Sequence, residues 1–77
     1  MDQKNLLEVL LFASPEPLTQ ARFNHVLQNE DTVKLDPLVD ELNNEYSKSG
    51  KGLIIMKIAG GYQILSETQY HVYLERL

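Results

Sequence analysis

Ser49-Gly50-Lys51-Gly52 comes nearest to a ligand-binding motif in this sequence. A phosphate loop needs GxxxxGK followed by Ser or Thr, set between a strand and a helix so that helix-end amides face the phosphates. Here glycine follows Lys51, and the stretch comes after a helical pattern and before an extended one, so it reads as a plain connection. Gly60-Gly61 likewise reads as a hairpin turn, because no helix start follows it. His25 and His71 are the two imidazoles. Neither has a second His or a carboxylate at metal-ligand spacing on its own helix, so both are expected to pack or to face solvent. Asp40-Glu41, with Glu45 one turn on, are the carboxylates best spaced for acid–base work. Adjacent helical residues splay about 100° apart, and no apolar pocket that would raise a pKa is implied, so a solvated acidic face is expected. The absence of cysteine removes disulfides, thiolate metal sites and cysteine nucleophiles. No catalytic, cofactor or metal site is expected, and the chain does not read as an enzyme.

The elements around these residues follow from periodicity and punctuation. A first helix is expected from about Gln3 to Ala13, stopped by Ser14-Pro15-Glu16-Pro17, because a residue before proline resists the α conformation. Thr19 suits the N-cap of a second helix with Phe23, Val26 and Leu27 on one face. Asn29-Glu30-Asp31 breaks that pattern, and Thr32-Val33-Lys34 is read as a short strand. Asp36 and Pro37 suit the N-cap and first position of a third helix, with Leu38, Val39, Leu42 and Tyr46 facing inward and Gly50 ending it. A hairpin follows, with Ile54, Met56 and Ile58 on one face of its first strand and Leu53, Ile55 and Lys57 on the other. Gly60-Gly61 forms its turn, and Tyr62 to Leu65 its return strand. Ser66-Glu67-Thr68-Gln69 has the pattern of a capping box opening a fourth helix with Tyr70, Tyr73, Leu74 and Leu77 at i, i+3, i+4 and i+7. Helix, helix, helix, hairpin is the order of a winged helix-turn-helix: α+β, mostly α, with a further C-terminal helix.

Composition bounds the rest. With 77 residues and 43% hydrophobic content, a single small domain is expected. A chain this short buries roughly 60% of its unfolded surface, which makes its stability marginal. No apolar run approaches the ~20 residues of a membrane span, and Leu6 to Ala13 has neither the basic flank nor the cleavage site of a signal peptide. A soluble cytoplasmic module is expected. The sequence stops in the helical pattern Tyr70 to Leu77 without a Gly or Pro stop signal, so a second domain downstream is expected too.

Winged helices usually read DNA, and here charge opposes that use. The net charge is −4, and the third helix, which would enter the groove, carries Asp36, Asp40, Glu41 and Glu45 against Lys48 alone. Phosphate neutralisation dominates affinity and base reading leans on Arg, Lys, Asn and Gln. Asn43 and Asn44 suit adenine, but four carboxylates would be pressed towards the backbone, and the Gly-Gly wing tip has no cation. Direct DNA binding is therefore not expected. A DNA-binding winged-helix regulator is the alternative reading, and it needs Arg22, Lys48 and Lys51 to converge. A protein partner is indicated instead by the first helix. Leu6, Leu7, Val9, Leu10, Leu11 and Ala13 sweep roughly 200° of its circumference at 100° per residue, and Phe12 lies outside even that arc. A stripe somewhat over ~100° wide suffices for one core. Leu7, Leu11 and Phe12, with Tyr70, Tyr73 and Leu74 of the fourth helix, are the candidate dimer or partner interface.

Leu10-Leu-Phe-Ala-Ser-Pro-Glu-Pro-Leu18, then Leu42 with Tyr46, Gly52-Leu53, and Ala59-Gly-Gly-Tyr-Gln-Ile-Leu65 resemble the N-terminal part of the segregation and condensation protein B family. The resemblance runs through nearly the whole chain in order. It implies the first of two winged-helix domains, a homodimer formed chiefly through that domain, and no catalytic activity or cofactor. It also implies as partners the kleisin subunit, segregation and condensation protein A, and through it the SMC ATPase that condenses and partitions the chromosome. The principal kleisin contact would belong to the second domain, and the protein would act in the cytoplasm on the nucleoid.

Overall fold

The computed structural model describes residues 2–28 and 31–77. Asp2 starts the first helix, α1 (Gln3–Ala13), its carboxylate accepting the Lys4 N–H at 2.9 Å. The helix ends at Ser14, as the two prolines require, and the Ser14 N–H still bonds the Leu10 carbonyl. Thr19 caps α2 (Gln20–Val26), its hydroxyl accepting from the Arg22 N–H at 3.1 Å. Phe23 and Leu27 enter the core, whereas Val26 is exposed.

Thr32-Val33-Lys34 is not a strand. Two glutamine side chains take its backbone groups instead: Val33 N–H donates to Gln3 Oε1 at 3.1 Å, and Gln20 Nε2 donates to the Val33 carbonyl at 3.0 Å. Of the expected break between α2 and α3, Asn29 and Glu30 lie outside the described residues. Gln20 also fixes the start of α3 (Leu35–Ser49), accepting the Leu35 N–H at 2.8 Å. The helix therefore begins one residue before Asp36, with Lys34 in the cap position. Asp36 is not the N-cap; it lies in the first turn and accepts the Tyr62 hydroxyl. Leu35, Val39, Leu42 and Tyr46 form the buried face, Leu38 lies at its margin, and Gly50 ends the helix in the left-handed conformation.

β1 (Leu53–Ile58) and β2 (Gly61–Ser66) pair antiparallel, from Leu53 opposite Ser66 to Ile58 opposite Gly61. The two turn residues are Ala59 and Gly60, at φ 51° and 79°, rather than Gly60 and Gly61. Gly61 has a separate duty. Leu18 exchanges two 2.8 Å hydrogen bonds with Tyr62, so the third extended segment of this winged helix is a single residue beside β2. A Cβ on Gly61 would lie 2.9 Å from the Leu18 carbonyl, so only glycine admits that approach.

The hairpin lies on α1 and α3, and Ile55 completes a core with Leu7, Leu11, Leu18, Phe23, Leu27, Leu35, Val39, Leu42 and Tyr46. Beyond β2 the expected capping box does not form. Ser66 remains paired with Leu53, and the Glu67 N–H donates to the Gly52 carbonyl at 2.8 Å. The chain then makes a 3-10 turn (Thr68–Tyr70) and one turn of helix, α4 (His71–Leu74). The Tyr70 ring sits on Gly52, where a Cβ would come within 2.5 Å of it.

Candidate partner interface

Some of the polar side chains are engaged in structural contacts. The α3 carboxylates are exposed and two are already engaged: Glu45 by the Lys4 ammonium and Asp36 by the Tyr62 hydroxyl. Glu8 on α1 accepts the Tyr46 hydroxyl at 2.5 Å. Burial, then the Glu8 carboxylate, pushes the Tyr46 phenol well above its ordinary range. The bond to Asp36, helped by partial burial, pushes Tyr62 up to about 12. Both phenols thus stay protonated donors, tying α1 and β2 to α3. His25 and His71 are exposed. No group of three His, Cys, Asp or Glu among the described residues could hold a metal ion.

Base reading by α3 fares no better. Asn43 donates to the Ile55 carbonyl at 3.0 Å and accepts the Ile55 N–H at 2.8 Å. Both ends of its amide are engaged in closing the edge of β1, and Asn44 is exposed among the carboxylates. At the wing Lys57 lies over the Tyr62 ring, 5.7 Å from its centroid, behind an uncharged tip.

Among the described residues three apolar surfaces remain, and they only partly match the sequence expectation. Leu7 and Leu11 are 0% and 3% exposed. Both belong to the core, so neither is a surface contact, and a carboxylate at Leu11 would attack the fold itself. The exposed face of α1 is Val9 and Phe12, at 62% and 61%. Beside it Leu10, Ala13, Ser14, Pro15, Leu18, Arg22 and Val26 line a cleft of about 270 Å³ between α1 and α2. The second surface is the C-terminal segment, where Tyr70, Val72, Tyr73, Leu74 and Leu77 are all exposed.

The third surface, the outer face of the hairpin, was not singled out from sequence. Ile54 and Leu65 stand opposite each other with Met56 beside them, and these exposed side chains, with Ser66 to Gln69 and His71, line an open groove of about 340 Å³. Its signal was present. Leu53-Ile-Ile-Met56 is apolar at consecutive positions, the pattern of a strand covered on both faces rather than one. Among the described residues no helix is long and apolar enough to cross a membrane.

The sequence and the fold both have known counterparts. The family model described as segregation and condensation complex subunit ScpB matches residues 5–77. Segregation and condensation protein B of Symbiobacterium thermophilum is 39% identical over 74 residues, 96% of this chain and 33% of that protein. The protein of the same name from Syntrophotalea carbinolica is 30% identical over 77 residues, all of this chain and 39% of its own length. The chain thus spans well under half of these relatives. A crystal structure of a conserved hypothetical protein from Chlorobium tepidum matches with a TM-score of 0.84 at 31% identity, covering 96% of this chain and 46% of that one. A dimer of the ScpB N-terminal domain complexed with ScpA peptide matches with a TM-score of 0.75 at 22% identity, covering 95% of this chain and 90% of that one; at that identity the likeness is one of fold. With a family match over all but its first four residues, this chain belongs to the segregation and condensation protein B family.

Proposed function

We propose that the chain is a non-enzymatic scaffold domain of the bacterial SMC–kleisin complex, which condenses and partitions the chromosome. In this reading it pairs with a second copy of itself and contributes to binding the kleisin, segregation and condensation protein A. It is the first of two winged-helix domains and works in the cytoplasm on the nucleoid. The family match along residues 5–77 carries the proposal. The exposed apolar residues of α1, the hairpin and the C-terminal segment support it, because apolar surface left outside a small core usually marks an interface. The fold neighbour described as an ScpB N-terminal domain dimer with ScpA peptide supplies the precedent for both partners.

Sedimentation velocity over a dilution series, with and without a labelled kleisin peptide, tests the reading. A dimer at low micromolar concentration that carries the peptide with it is expected. A chain that stays monomeric at tens of micromolar, with the peptide sedimenting alone, would remove this domain from both roles.

A further inference from the structure

The groove on the outer face of the hairpin has two kinds of wall. Ile54, Met56 and Leu65 belong to the paired strands. Glu67, Gln69 and His71 belong to the segment that leaves β2. The strand wall is fixed by backbone pairing, whereas the other has little to hold it. Every residue from Thr68 to Leu77 is exposed, and α4 is a single turn. Segments with few buried contacts open locally, at far lower free energy than the domain unfolds.

Tyr70 supplies the hold. Its ring lies on Gly52, just before β1, where the place of a Cβ is 2.5 Å from Cε2 and 3.0 Å from Cζ. Gly52 is buried although Lys51 before it is exposed, so the ring serves as its cover. The Gly52 carbonyl accepts the Glu67 N–H at 2.8 Å, and the Tyr70 N–H turns back to the Glu67 carbonyl at 3.0 Å. Ring and backbone thus close one circuit at the point where the segment departs. His71 adds a longer contact, Nε2 to the Ser66 carbonyl at 3.3 Å. We propose that Tyr70 on Gly52 is a latch on the hairpin groove. Seated, it holds Glu67 to His71 as one wall. Lifted, it lets residues 67–77 swing away from the paired strands and leaves the groove open on that side.

Both halves of the latch are specified by residue type. Gly52 holds φ 73°, a conformation that favours glycine, and its bare Cα is also what lets the ring approach. The 3-10 turn at Thr68–Tyr70 is the tight connector that brings the ring back over it. Partial burial of one aromatic ring gives a preference of about tenfold to a hundredfold. That is enough to keep the segment seated most of the time, and too little to tie its release to unfolding of the strands. Tyr70 is thereby an anchor within its own chain. Of the C-terminal residues expected at a partner interface, Tyr73 and Leu74 lie beyond the latch.

Residue-resolved amide hydrogen exchange of the whole chain, with its methyl spectrum, tests the latch. In the wild type the Glu67 and Tyr70 amides should exchange together, at least about tenfold faster than a core amide such as Leu42, and with little dependence on added urea. Tyr70→Ala should speed Glu67 exchange about tenfold further. It should also shift the Ile54 and Leu65 methyl signals while those of Leu7 and Leu11 stay in place. Tyr70→Phe keeps the ring and should leave both readouts as they were. Position 70 is exposed, and unchanged far-UV circular dichroism checks that both variants fold. Glu67 exchange as slow and as urea-sensitive as that of Leu42 would show that the segment opens only with the whole domain, and would overturn the latch. So would an unchanged Glu67 rate in Tyr70→Ala, or a rate in Tyr70→Phe as fast as in Tyr70→Ala. Faster exchange with unmoved Ile54 and Leu65 methyls would overturn the segment's part in the groove.

Discussion

Some polar side chains of this chain act as structural fasteners. Tyr62 shows how this can be measured. Its hydroxyl donates to Asp36, which holds the phenol protonated up to about pH 12 in the folded chain, against an unperturbed value of about 10. The folded-state pKa is raised, so this contribution to stability is whole below about pH 10 and is lost as the pH climbs through about 12. Tyr62→Phe should therefore lower the urea midpoint at pH 8, and the two chains should converge as the pH reaches 12. Curves that stay parallel across that range would mean that Asp36 does not hold the proton. In the sequence Asn43 reads only as an amide suited to adenine. That its amide closes the backbone of Ile55, twelve positions on, depends on how the hairpin docks, which no local pattern encodes. Leu7 and Leu11 show the converse limit. Periodicity marks them as apolar, and only packing tells that they face inward while Val9 and Phe12 face out.

Element types were easier to read than element ends. α1, α2, the C-terminus of α3 and the hairpin follow from proline stops, a threonine cap, a left-handed glycine and apolar spacing. The four misplaced features, the strand at Thr32–Lys34, the start of α3, the capping box and the hairpin turn, share a cause: a contact distant in sequence displaced a local signal. Gln3 and Gln20 hold the backbone around Val33 and move the start of α3 to Leu35. Pairing with Leu53 draws Ser66 into β2 and dismantles the capping box. Leu18 occupies the space beside Gly61 and moves the turn back to Ala59-Gly60. That shift leaves a flaw that can be corrected. Ala59 holds φ 51°, a conformation costly for an alanine, whereas two-residue turns with both central φ positive favour Asn-Gly. Ala59→Asn should stabilise the chain by about 0.5–1 kcal/mol, raising Tm by roughly 2–8 °C for a domain of this size. An unchanged or lower Tm would show that the alanine is not strained there.

At the scale of the whole molecule, the fold and its charge point in different directions, and charge decides. A winged helix brings its third helix to the major groove, yet here that helix exposes Asp36, Asp40, Glu41 and Glu45, while Asn43 is consumed by Ile55. Of the cations that the DNA-binding alternative requires, Arg22 lines the α1–α2 cleft, whereas Lys48 and Lys51 lie at and beyond the C-terminal end of α3. Affinity for DNA grows with the number of phosphates neutralised and declines with salt in proportion to it, so a net charge of −4 leaves little to build on. Fluorescence anisotropy of a labelled duplex at physiological salt should show no saturable binding up to tens of micromolar chain. Charge reversal of the helix sharpens the test, because Asp40→Lys with Glu41→Lys would change the charge of an exposed face by four units without touching the core. If the fold alone sufficed for DNA, the wild-type chain would bind. If charge is the barrier, only the reversed variant should acquire weak, salt-sensitive affinity. Saturable binding by the wild-type chain that fades as salt rises would contradict this account of the surface and return the domain to the regulators that its fold suggests.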